Sequence, residues 1–216
     1  MKKFLKNSKF IFLLVFLLVF YTFFCSLSYA TSVSNNISDC VFRLHVIANS
    51  DSDEDQNLKY RVRDSLLSYM NDLAANCSSK EEVINLANSH LSDFEKIAHD
   101  VVLENGFDYN VKVEIGNFEF PTKTYGDISL PAGFYDALKV EIGEAKGKNW
   151  WCVMFPPLCF IDISSGNLSE DSKEYLKENM SEEDYSLISD SSNNEIQFKF
   201  KLLEFFANNN LLADKK

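Results

Sequence analysis

Three aspartates at alternate positions, Asp51, Asp53 and Asp55, open the search for chemistry, because carboxylates at this spacing begin a calcium-binding loop. The pattern then stops: the sixth position of such a loop would be Gln56 and the twelfth Val62, where glycine and glutamate belong. Helix capping accounts for the acidic turn, with Ser52 as the cap, acidic residues at the positive end of the helix dipole, and Asp55 at the capping-box position. His45 is the second candidate and lies beside Arg43 on one strand face, yet a general base needs a nucleophile or water site, and none is identifiable. His90 and His99 stand nine residues apart on one predicted helix, too far for a two-histidine metal site. Cys152 and Cys159 could be joined by a strand, a double-proline turn and a return; that bond would contribute about 2.5 kcal/mol in the chain-entropy model. Two buried thiols are the alternative. No nucleophile elbow, phosphate loop or zinc-protease helix occurs, so no catalytic, cofactor or metal residue is assigned.

The chain is organised around Gly147 to Phe160, GKNWWCVMFPPLCF, with two Trp, two Phe, two Cys and two Pro. In an extended strand, Trp151, Val153 and Phe155 face one way and Trp150, Cys152 and Met154 the other. Neither face is polar. The strand is therefore either central and covered on both faces, or covered on one while offering an aromatic patch to a partner. Pro156 and Pro157 end it, since neither can donate to a sheet ladder.

The elements around this strand follow from periodicity. Val41 to Ala48 reads as a strand, with Phe42, Leu44 and Val46 on one face and Val41, Arg43, His45 and Ile47 on the other. Leu58, Val62, Leu66, Tyr69 and Leu73 repeat at helical spacing. A second helix opens at Ser79 with Glu82, runs through His90 to Val101 and closes at Asn105 and Gly106. Tyr109 to Ile115, extending through Phe120, and Leu138 to Ile142 alternate as strands, and Gly143 to Asn149 reads as a hairpin connection into the tryptophan strand. Ser169 to Met180 and Ser181 to Ile188 read as short capped helices, and Leu202 to Phe206 as a C-terminal helix. The order predicts an α+β fold, a largely antiparallel sheet with helices packed on one face, in a single domain over residues 40–210.

Before that domain come a basic start at Lys2, Lys3, Lys6 and Lys9, an apolar run from Phe10 to Phe24, and small residues near Ala30. Residues 1–30 read as a signal peptide cleaved after Ala30, or as a membrane anchor over residues 10–27, and Thr31 to Asp39 as a flexible tether. Removing four lysines and no acidic residue takes the formal charge from −11 to −15. Nucleic acid and anionic membrane surfaces are repelled by such a domain, which favours a basic or neutral protein partner.

FRLHVIANSDSDEDQNLKYRVRD, from Phe42 to Asp64, and LPAGFYDALKVEIGEAKGKNWWCVMFPPLCF, from Leu130 to Phe160, resemble the two hallmark blocks of the stage II sporulation protein R family. Cys40 and Cys77 have no place in that pattern. The resemblance implies a signal rather than an enzyme: a protein exported from the forespore across the septal membrane into the intermembrane space. There it is needed to activate a membrane-bound aspartic protease that processes pro-sigma-E. No cofactor, nucleic acid or small-molecule substrate is implied. Arg43, His45, Asn49, Asp51, Asp53, Trp150, Trp151, Pro156 and Pro157 are then the candidate partner-binding residues. An exported cell-envelope hydrolase using His45 and the acidic turn is the competing class.

Overall fold

A computed structural model describes residues 2–158 and 169–189. The expected C-terminal helix, and the Cys159 half of the expected disulfide, lie outside the described residues. Helix α1 (Lys2–Asp39) leads into strand β1 (Phe42–Ile47). Helices α2 (Asp53–Ala74), α3 (Lys80–Ser89) and α4 (Leu91–Glu104) follow. The chain then forms β2 (Val111–Phe120), β3 (Lys123–Tyr125), β4 (Ile128–Leu130), β5 (Gly133–Ile142) and β6 (Asn149–Phe155), and closes with α5 (Glu170–Asn179) and α6 (Glu182–Ser189).

The main sheet has the order β2-β5-β1-β6. Its outer ladders, β2 with β5 and β6 with β1, are antiparallel, as expected, while the central pair β1 and β5 is parallel. The central pair explains the composition of β1. A parallel strand needs a crossover and is covered on both faces, so its apolar run is nearly continuous.

Both faces carry a core, which corrects the expectation of helices on one face. On the first, Phe42, Leu44 and Val46 meet Leu58, Val62, Leu66 and Met70 of α2 and Phe94, Ala98 and Val102 of α4. Burial of each large side chain there contributes about 1.5–3 kcal/mol. On the second, Val41, Ala137 and Val153 are covered by Val33 and Ile37 of α1, Ile128 and Leu130 of β4, and Leu187 and Ile188 of α6. The stretch expected to be a tether thus ends a helix and packs two side chains into this core. Farther up α1, Phe10 to Phe24 include a run of exposed aromatic and aliphatic side chains, Phe12 at 74%. Among the described residues no helix is long and apolar enough to cross a membrane.

Two connections differ from their sequence readings. The predicted long helix breaks at His90, whose φ of −110° and ψ of 18° end α3 and start α4. There the imidazole Nδ1 lies 2.7 Å from Asp93 Oδ2 and 3.1 Å from the Tyr69 hydroxyl, tying the break to α2. The segment after Ile142 is not a hairpin turn, because β5 and β6 flank β1 instead of pairing with each other. It crosses the end of β1 and is stitched to it: Gly147 N donates to Ala48 O at 2.9 Å, and Lys146 N to Asn49 O at 3.1 Å. A Cβ on Gly147 would collide with the backbone carbonyl of Ser50. Gly147→Ala is therefore expected to lower stability by about 2 kcal/mol in chemical unfolding, the scale of an overpacked site. A wild-type midpoint would show that this crossing gives way freely.

Candidate functional site

The acidic turn is built as a clamp on that crossing segment. Ser52 is the N-cap of α2, its hydroxyl accepting from Asp55 N at 3.2 Å. The Asp55 carboxylate does not close a reciprocal capping box; it is buried and accepts from Asn49 Nδ2 at 2.8 Å and Ser50 Oγ at 2.5 Å. Burial, the largest single influence, pushes this carboxyl up, and bonds from Ser50, Asn49 and Tyr109 outweigh it and hold it below its ordinary range. The amide oxygen of Asn49, Oδ1, accepts from Glu144 N at 2.9 Å, and Asp51 Oδ1 accepts from Lys148 N at 2.7 Å. Asp53 is exposed in the first turn of α2. The carboxylates of Asp51 and Asp55 thus point at different backbone and side-chain donors, and the turn joins the two sequence blocks into one unit.

Strand β6 sets its two tryptophans on opposite faces, as alternation requires. Trp150 lies under α2, edge-on to Tyr60 with ring centroids 5.4 Å apart and with the Arg63 guanidinium 4.3 Å from its ring. Trp151 stacks on His45 at 3.7 Å and meets Phe120 at 4.8 Å on the other face. Both are half-buried. Phe155, expected on the Trp151 face, belongs to the helix-side core. The register explains it: Arg43 pairs with Val153 and Phe42 with Phe155, so Met154 is an extra residue and a bulge inverts the alternation beyond it.

Arg43 and His45 are interior groups. Arg43 is fully buried, with its guanidinium 4.1 Å from the Phe120 ring centroid and 4.6 Å from that of Tyr135. Its Nη2 donates to the Tyr125 hydroxyl at 2.8 Å, and its Nη1 has no partner among the described residues. His45 is 7% exposed, and its Nε2 lies 2.8 Å from Asn149 Oδ1. Burial, reinforced by Lys139 and Arg43 against the Asn149 bond and Glu141, lowers its pKa to about 4. An imidazole held neutral, with Nδ1 buried and unpartnered, is poorly matched to general-base work near neutral pH. Neither free thiol near the domain is activated: burial raises Cys40 to about 11 and also raises Cys77. Among the described residues no group of three or more His, Cys, Asp or Glu is placed to hold a metal.

The predicted site residues fall into two places. Asn49, Asp51 and Trp150 gather at the start of β6, where a cleft of ≈ 450 Å³ opens between α2, β3 and the strand. Pro156, buried and following a cis peptide bond, and the half-buried Pro157 lie at the far end of β6, lining a separate ≈ 410 Å³ pocket with Tyr175. Six strand steps separate the two ends, about 20 Å. Sequence reading missed Lys59, Tyr60 and Tyr125 at the cleft. Tyr60 and Lys59 were legible only as positions beside the apolar stripe of α2, and the three-residue strand holding Tyr125 is too short to show a period.

Residues 38–165 match the family described as Stage II sporulation protein R. Over 130 residues the sequence is 40% identical to a protein of Bacillus subtilis (strain 168) named Stage II sporulation protein R. The match covers 60% of this chain and 58% of that relative, less than two thirds of its length. No solved structure matches.

Proposed function

Because the chain belongs to the stage II sporulation protein R family, and so to proteins of sporulation, we propose that it is the exported signal by which the forespore activates pro-sigma-E processing in the mother cell. Its partner is the membrane-bound aspartic protease that carries out this processing. Residues 1–30 direct export across the septal membrane, as a cleaved signal peptide or as an anchor, and the folded domain acts in the intermembrane space without catalysing a reaction itself. The family match over both sequence blocks carries this reading. The buried, neutral His45 supports a binding role over a hydrolysis that would use it as base. Binding activates such a protease only if the domain holds its active state more tightly than its inactive one.

The test is made in sporulating cells. Deleting the gene, or only the codons for residues 2–30, is expected to leave pro-sigma-E unprocessed, and restoring the full chain to recover processing. Normal processing in the deleted strain would overturn the proposal.

Export also bears on the cysteines. Among the described residues Cys25, Cys40 and Cys77 are free thiols, and an oxidising compartment favours the proposed bond between Cys152 and Cys159. Thiol titration of the denatured, unreduced protein recovered from the septal space is expected to detect Cys40 and Cys77, together with Cys25 where residues 1–30 are retained, and to miss Cys152 and Cys159. Labelling of Cys152 or Cys159 without reductant would remove the bond.

A further inference from the structure

The cleft at the start of β6 differs in charge from the rest of the molecule. Its lining includes Lys59, Lys123 and Lys148 and no aspartate or glutamate, on a chain of formal charge −11. Elsewhere Lys80, Lys112, Lys139, Lys146 and Lys173 each sit against a carboxylate. None of the three cleft lysines forms an ion pair among the described residues. Lys59 is 1% exposed and, among the described residues, its Nζ donates to two neutral oxygens, Gln56 Oε1 at 2.6 Å and Lys148 O at 3.1 Å. Burial, with Arg63 and Lys148 acting in the same direction against the nearby Asp51 carboxylate, lowers its pKa from the ordinary value. A carboxylate arriving at this ammonium would complete it. Trp150 adds a second unfilled donor, since its buried Nε1 has no partner among the described residues, and Tyr60, Trp150 and Trp151 supply aromatic walls.

We propose that this cleft is the docking site for an acidic segment of a protein partner, whose carboxylates pair with Lys59, Lys123 and Lys148 while an apolar side chain lies against Tyr60 and Trp150. The partner class rests on the proposed signalling role; the site and its chemistry rest on the cleft. The size fits a few side chains, being within the 300–1,000 Å³ range of ligand pockets and far larger than one carboxylate needs. Charges more than about 8 Å away are screened at physiological ionic strength, so the sign met by a docked segment is set by the three lining lysines, with Asp51 beside them engaged by Lys148 N. Nucleic acid and anionic membrane, which present charge over much larger areas, meet the acidic surface instead.

The test reverses the two exposed lysines, Lys123→Glu with Lys148→Glu, in the full chain, leaving buried Lys59 and both tryptophans in place. The probe is a labelled synthetic peptide alternating glutamate with leucine and phenylalanine; controls are its glutamine counterpart, free glutamate, and vesicles containing phosphatidylglycerol. The acidic peptide is expected to bind the wild type, to weaken as salt is added, and to bind the double variant at least ten-fold more weakly at unchanged thermal midpoint. Pro-sigma-E processing is expected to fail in cells carrying the variant. Equal peptide binding by both proteins, equal binding of the glutamine peptide, or a preference for vesicles overturns the proposal. A wild-type dimer in sedimentation that the variant abolishes overturns it in favour of a second copy as occupant. If processing proceeds without the protein, the signalling role fails, and charge-dependent peptide binding still decides the cleft; if the wild type supports processing and the variant does so equally, the cleft proposal alone fails.

Discussion

Arg43→Ala is expected to lower the unfolding free energy by about 3 to 5 kcal/mol, the range found when a large buried side chain leaves a cavity. Arg43→Met is expected to stay within about 1 kcal/mol of wild type. The contrast separates volume from charge. The guanidinium fills the space between Phe120, Tyr125 and Tyr135, and its position over the rings offers cation–π attraction. It also donates to the Tyr125 hydroxyl and, at 3.4 Å, to Cys152 O. Against these stands the burial of a cation whose Nη1 has no partner. An uncompensated buried ion is penalised by several kcal/mol, so an apolar side chain of similar length offsets the lost hydrogen bonds by removing that penalty. Urea unfolding of the three proteins decides it. If Met destabilises as much as Ala, the hydrogen bonds and ring contacts of the guanidinium outweigh its desolvation, and this account of Arg43 is wrong.

The second large effect is a pH dependence located at His45. Its pKa is lowered to about 4 in the folded chain from an ordinary 6.5, because burial between Trp151 and Phe120 disfavours the imidazolium. The unfolded state therefore binds the extra proton first. The stability associated with neutral His45 is fully present above pH 6.5 and is lost as the pH falls toward 4, a total of about 3 kcal/mol. Asp55, Asp93 and Glu114, held below their ordinary ranges, also lose stability in acid, so the wild-type profile alone does not isolate the histidine. His45→Gln keeps a polar group near Asn149 and cannot titrate. Between pH 7 and pH 4.5 the wild type is expected to lose about 2 kcal/mol more than His45→Gln in urea unfolding. Parallel losses would place the acid sensitivity elsewhere.

The elements whose periods are long and unbroken were legible. Leu58, Val62 and Leu66 at helical spacing placed α2, and Phe42, Leu44 and Val46 at strand spacing placed β1 and chose its helix-facing side. Ser52, Ser79 and Ser169 marked the starts of three helices because a cap needs a local side chain and little else. What failed depended on single events within a period. His90 interrupts an apolar stripe without altering its composition, and the extra residue at Met154 is invisible until β1 supplies a register. Alternation set Trp150 and Trp151 on opposite faces without saying what covers either, and Tyr60 and Arg63 are ordinary polar-face residues of α2 until the helix lies across β6.

From the sequence alone follow the α+β class, the identity of the helices and strands near the two blocks, and the family, because these rest on local spacing and residue type. Tertiary structure decided that β1 lies between β5 and β6, since strand order is settled by which faces bury together and local spacing carries no record of it. From that order come the burial of Arg43, the neutral His45 and the crossing of Gly147 over the acidic turn. It also brings Lys59, Lys123 and Lys148, far apart in the chain, into one cleft. Their shared charge becomes a site only when the packing of α2 and β3 against β6 removes the distance between them.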